Sequence, residues 1–130
     1  MKQLIKSKIE KLLTESEEVV KVEQLGGMTN SNYLVETTSN KYIVKFFGKG
    51  TDKLINRIAE KNNLGNLADL GLDVKNYIFD IESGIKVNEY IENATTFDAH
   101  YLKAKKEEVA NILKKVHSSG KDLEGEFRVF

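Results

Sequence analysis

A chain of 130 residues is the usual size of one domain and long enough to bury about two-thirds of its unfolded surface, so a single core is expected. With 40% hydrophobic and 31% charged residues its composition is that of a globular protein and not of a disordered one. Lysine plus arginine and aspartate plus glutamate both number 20, and this zero net charge argues against nucleic acid and against a membrane surface as partners, because both call for a basic excess.

Cysteine is absent, which removes a disulfide framework and every thiolate zinc or iron–sulfur site and agrees with a cytoplasmic location. The opening MKQLIKSKIEKLL alternates apolar and charged side chains and lacks the continuous apolar segment of a signal peptide. Nothing later reaches the ~18 apolar residues that span a bilayer.

In chain order, Leu4, Ile5, Ile9, Leu12 and Leu13 recur at helical spacing among lysines and glutamates and predict an amphipathic helix over 2–15. VVKVEQL (19–25), NYLVET (32–37) and KYIVKF (41–46) are separated by Gly26-Gly27 and by Thr38-Ser39-Asn40, which predicts three strands in a meander. Thr51 or Asp52 then caps a second helix through LINRIAEKNNLGNLADL (54–70). Its apolar residues occupy two faces, so it is either buried on two sides or broken near 62–65. YIFDI (77–81) and IKVNEYI (85–91), flanking Glu82-Ser83-Gly84, predict a hairpin. From Asp98 onward, Val109, Ile112, Leu113 and Val116 carry the spacing of a last long helix closed by Gly120.

Three features bear chemistry. The hairpin tip GGMTNSN lets backbone approach phosphate oxygens through its glycines, with Thr29, Asn30, Ser31 and Asn32 adding side-chain donors, although a Gly-Gly pair between strands also serves as a plain turn. Lys45 alternates with Val44 and Phe46 and shares a sheet face with Ile43, so at the centre of a strand it needs a partner; the plainer alternative is an edge lysine in solvent. Glu60 could be that partner, falling on the helix stripe of Leu64 and Leu67, or it could form a surface ion pair with Arg57 at i−3. A glycine loop, a strand lysine and a helix glutamate in this order are the parts with which kinase-type enzymes hold nucleotide phosphates.

Over 25–119 the chain resembles the N-terminal part of choline/ethanolamine kinases, and most of all their bacterial choline-kinase branch, within the kinase-like fold shared with aminoglycoside phosphotransferases. The resemblance rests on LGGMTNSNYLV (25–35), KYIVKFFGKGTDKLINRIAEKN (41–62), LADLGLDVKNYIFD (67–80), GIKVNEYIENATTF (84–97) and ILKKVHSS (112–119). GGMTN followed by FxGKGTDxLINRxxE is far more specific than a lone glycine pair.

The resemblance implies an α+β fold: a protein-kinase-like N-terminal lobe over 1–91, with a five-stranded antiparallel sheet and flanking helices, then a hinge and the first helix of a C-terminal lobe over 92–130. It implies ATP and Mg2+ as cofactors and choline as the alcohol that accepts the phosphoryl group. Gly26, Gly27, Met28, Thr29 and Asn30 would cover the phosphates, Lys45 would bind them, and Glu60 would orient Lys45. Glu89, Tyr90 and Ile91 match the hinge, whose main-chain groups would meet the adenine edge, so the side chain of Glu89 need not touch nucleotide.

The family's catalytic base and magnesium-binding aspartate lie beyond a His-x-Asp motif, which neither His100 nor His117 begins. Base, metal ligands and choline pocket are therefore expected outside this chain, which alone is expected to be inactive, with a lobe face open to self-association. Two other readings stand beside this one: a small-molecule kinase of the same fold acting on ethanolamine, an aminoglycoside or an amino alcohol, and a non-catalytic nucleotide-binding or interaction module.

Overall fold

The computed structural model of the 130-residue chain describes residues 1–125. They fall into two compact units, one of residues 1–55 and 74–90, the other of 56–73 and 91 onward. The sequence reading instead divides the chain once, after residue 91; here residues 56–73 group with the later part.

The first unit is built on a five-stranded antiparallel sheet, β1 (Val19–Leu25), β2 (Asn30–Thr37), β3 (Lys41–Phe47), β4 (Asn76–Asp80) and β5 (Ile85–Glu89), in the order β1-β2-β3-β5-β4. Alternation along the strands sorts side chains to two faces. On one, Tyr33 pairs across to Val44 and Val44 to Val87, and these pack with Val35, Tyr42 and Ile85. Helix α1 (Lys2–Ile9) contributes Ile5 and Ile9 to the same cluster. Each such side chain removed from water stabilises the unit by about 1.5–3 kcal/mol. The helix is shorter than the expected 2–15 and ends in a 3-10 turn over Glu10–Leu12.

The chain entering β1 is fastened to the β2–β3 turn through Glu17, which is buried. Its carboxylate accepts a hydrogen bond from the Thr37 hydroxyl and another from Asn40 Nδ2 at 3.1 Å. The Thr37 hydroxyl is the main cause that holds the Glu17 carboxyl below its ordinary value, against the opposing effect of burial. At the other end of the sheet, Gly84 (φ 67°) turns β4 into β5.

In the second unit the helix expected to begin at Thr51 or Asp52 begins later. Thr51–Lys53 is only a 3-10 turn, and α2 (Arg57–Asp69) is capped by Asn56, whose Oδ1 accepts from Ala59 N at 3.0 Å. It is a continuous helix to Asp69, unbroken at 62–65. The last helix is split into α3 (Ala99–Ala104), capped by Asp98, and α4 (Lys106–His117), because Lys105 leaves helical geometry at φ −112°, ψ 13°. Among the described residues no helix is long and apolar enough to cross a membrane.

Candidate functional site

The face of the sheet opposite the α1 cluster presents Lys45. Across it runs a row of directly paired residues, Leu25, Asn32, Lys45, Lys86 and Phe79. Beside it lies a second row, Leu34, Ile43, Asn88 and Asn76. The expected sharing of a face by Lys45 and Ile43 is met.

The glycine loop between β1 and β2 is held at both ends. Asn32 Nδ2 donates to Gly26 O at 2.8 Å, and Gly48 N donates to Thr29 O at 3.0 Å. A Cβ on Gly27 would collide with the Asn30 carbonyl and with Asn32 Nδ2, and one on Gly48 with the Thr29 carbonyl. Both approaches therefore need glycine. Gly26 itself has open space around it, and Met28 and Thr29 are exposed. Asn30 and Ser31, expected in the loop, are the first residues of β2, with Asn30 paired to Phe47 and Ser31 to Phe46.

Lys45 is half-buried, and among the described residues it makes neither an ion pair nor a hydrogen bond. The lysine opposite it, Lys86, is 7% exposed and sets its Nζ over the Phe79 ring, 5.4 Å from the centroid. Two like charges facing each other across paired strands destabilise the sheet by a few tenths of a kcal/mol, up to about 1 kcal/mol, unless each has something better to do.

Glu60, the expected partner of Lys45, lies in the first turn of α2 in the second unit, where Arg57 Nη1 donates to its Oε2 at 2.6 Å. The Arg57 pairing weighed from the sequence is thus present, and it is no surface pair, since Arg57 is 7% exposed. Glu89 is the last residue of β5, two short of the expected strand end. Its N–H donates to Lys75 O at 2.8 Å and its Oε2 accepts from Lys75 N at 3.1 Å, so neither group is turned to a ligand. Tyr90 offers its ring to Lys41 Nζ at 5.4 Å from the centroid. Ile91 belongs to the second unit and is exposed.

Sequence reasoning missed Lys86 and Asn88. In β5 they alternate with Ile85 and Val87 and read as the solvent side of a half-buried strand, but all four are buried. The available signal was two polar side chains in a strand that must lie inside a sheet for the helix and hairpin order to close. Asn88 Nδ2 donates to Asn76 Oδ1 at 2.7 Å, and Asn88 Oδ1 has no hydrogen-bond partner among the described residues. Among those residues no cluster of histidine, aspartate and glutamate could hold a metal ion.

No family model matches the chain. Protein LicA of Haemophilus influenzae is 32% identical over 108 residues, 82% of this chain and 32% of LicA; the LicA protein of a second strain of that organism is 30% identical over 105 residues, 79% of this chain and 39% of its own length. Among solved structures, the choline kinase LicA from Streptococcus pneumoniae superposes with a TM-score of 0.88 at 62% identity, covering 98% of this chain and 44% of that one. A LicA crystallised in complex with AMP gives 0.83 at 63% identity, covering 97% and 44%. An ethanolamine kinase of Plasmodium vivax shares the fold, with a TM-score of 0.74 at 23% identity over 96% of this chain and 33% of that one. The chain spans less than half the length of each of these relatives.

Proposed function

We propose, for a chain that belongs to the choline/ethanolamine kinase family and matches its N-terminal part, the role of nucleotide-holding lobe in an ATP-dependent choline kinase. Its five-stranded antiparallel sheet with helices is the N-terminal lobe of the protein-kinase-like fold. The whole enzyme would move the γ-phosphoryl group of ATP to the hydroxyl of choline. Such transfer depends on positioning and on neutralising phosphate charge, with little covalent work for the protein.

One observation carries the reading: a glycine loop that admits no side chain at Gly27 is tied by Asn32 to the strand position facing a lysine with no partner among the described residues. Backbone N–H groups in such a loop and a cation beside it suit a polyphosphate. The AMP complex of a LicA relative supports a nucleotide as ligand, and the choline kinase activity of another supports choline as acceptor. Gly26, Gly27, Met28 and Thr29 would lie over the phosphates with Lys45 among them, and the carbonyl of Glu89 with the main chain of Tyr90 and Ile91 would meet the base.

The described residues do not bring together three or more side chains able to hold a magnesium ion. Magnesium, a cytoplasmic location and self-association through unpartnered helix faces belong to the same proposal. Its test is a phosphotransfer assay with ATP and a panel of choline, ethanolamine and an aminoglycoside. The whole protein that carries this sequence should phosphorylate choline, and these 130 residues alone should turn over none of the three. Turnover by the 130 residues would overturn the division of labour.

A further inference from the structure

Among the described residues, the row that pairs Asn32, Lys45, Lys86 and Phe79 contains an acceptor without a donor next to a donor without an acceptor. The Asn32 amide is oriented by its surroundings, since its Nδ2 donates to Gly26 O at 2.8 Å and stands where a Gly27 side chain would be. Flipping the amide would bring its oxygen against the Gly26 carbonyl, so the end that remains must be Oδ1, an acceptor. That oxygen is buried and has no hydrogen-bond partner among the described residues. Lys45, directly opposite on β3, has three N–H donors and no partner among those residues.

Directly opposite side chains have Cβ atoms about 4.5–5.5 Å apart, so rotation of the lysine stem is enough to bring Nζ to Oδ1. The other neighbour, Lys86, repels Lys45 and keeps its own ammonium on its far side, over Phe79. Of the two cross-strand neighbours of Lys45, Asn32 is the one that offers it an acceptor.

We infer that Asn32 is a positioning residue for Lys45: its Oδ1 takes the Lys45 ammonium when phosphate binds, while its Nδ2 holds the glycine loop. One amide then couples the loop to the cation, and two N–H groups of the ammonium remain for phosphate oxygens. Asn32 touches no phosphate itself, because the oxygen it offers would repel one. This assigns Asn32 a different task from the side-chain donor to phosphate read from the sequence. The inference rests on the nucleotide-holding reading, in which Lys45 meets phosphate.

The experiment is ATP binding by calorimetry to the whole protein that carries this sequence, for the wild type, Asn32→Leu, Lys45→Met and the double variant, with thermal unfolding as a check on folding. Asn32→Leu is expected to weaken ATP about tenfold, which is about 1.4 kcal/mol. In the Lys45→Met background the same substitution should cost about threefold or less, because its hold on the loop can still be lost but no ammonium is left to position. Equal losses in both backgrounds, or unchanged binding by Asn32→Leu, would overturn the inference while leaving the nucleotide reading in place. Absence of ATP binding by a folded wild-type protein would overturn both. If Asn32→Leu does not fold, Asn32→Ser, which shortens the side chain out of reach of Lys45, takes its place in the cycle with the same expected pattern.

Discussion

Lys45 and Glu17 show two ways in which a charged side chain can sit inside a small lobe. Glu17 is buried and fully engaged, by Thr37, Asn40 and the Thr14 N–H at 3.4 Å. Because its carboxyl is held below the ordinary 4.5, the stabilisation it gives is complete at pH values above 4.5 and is lost as pH falls through the lower, folded-state value. Urea unfolding of the chain at a series of pH values should therefore show a fall in stability on the acid side that Glu17→Gln flattens. An identical acid limb in the variant would remove Glu17 as its source. Lys45 is the opposite case, without a partner among the described residues and with no part in the α1 cluster. Lys45→Ala should leave thermal unfolding within about 0.5 kcal/mol of wild type. In the whole protein that carries this sequence it should lower kcat/KM for ATP roughly a hundredfold, the scale set by losing one preorganised group from a charge-stabilising site.

At the scale of elements, the glycine loop separates two residues that look alike in sequence. A methyl on Gly26 meets nothing within 4 Å, whereas on Gly27 it meets the Asn30 carbonyl and the Asn32 amide. Gly26→Ala should be close to neutral in a thermal melt, and Gly27→Ala should cost about 1–3 kcal/mol, the usual penalty for forcing atoms into filled space. Equal melts for the two would mean that the loop shifts freely. That difference is not legible in the sequence, since it depends on where β2 brings Asn30 and Asn32. What is legible follows from local patterns: Tyr33, Val35, Tyr42 and Val44 alternate as their strands require, and the order of helices and strands emerges from such runs. The start of α2 was obscured because Thr51, Asp52 and Asn56 are all capping residue types, and only the extended backbone at Asn56 settles which one caps. The break at Lys105 has no local mark at all, for it lies in a run of good helix formers. Lys45 could be singled out from its strand alone, while the pairing with Asn32 and Lys86 needed the register of three strands.

For the molecule as a whole, the described residues of the second unit leave an apolar stripe exposed. On α4, Val109, Ile112, Leu113 and Val116 follow the spacing of a buried helix face, yet Ile112 and Leu113 are about half exposed. Phe97, just before α3, lies against Tyr101 of α3 at 5.1 Å between ring centroids, and both remain exposed together with Leu102. Scattered apolar side chains on a surface mean little, but a contiguous stripe on amphipathic helices is the signature of a face made to be covered. With zero net charge on the chain, electrostatic repulsion does little to keep two copies apart. The 130 residues alone should therefore self-associate as concentration rises, seen as an increase in weight-average mass by sedimentation equilibrium. Leu113→Lys, placing a charge in the middle of the stripe, should restore the monomer without changing the melting of the first unit. A wild-type chain that stays monomeric at high concentration would show that the stripe is not an association surface, and would leave the sheet, its glycine loop and Lys45 as described.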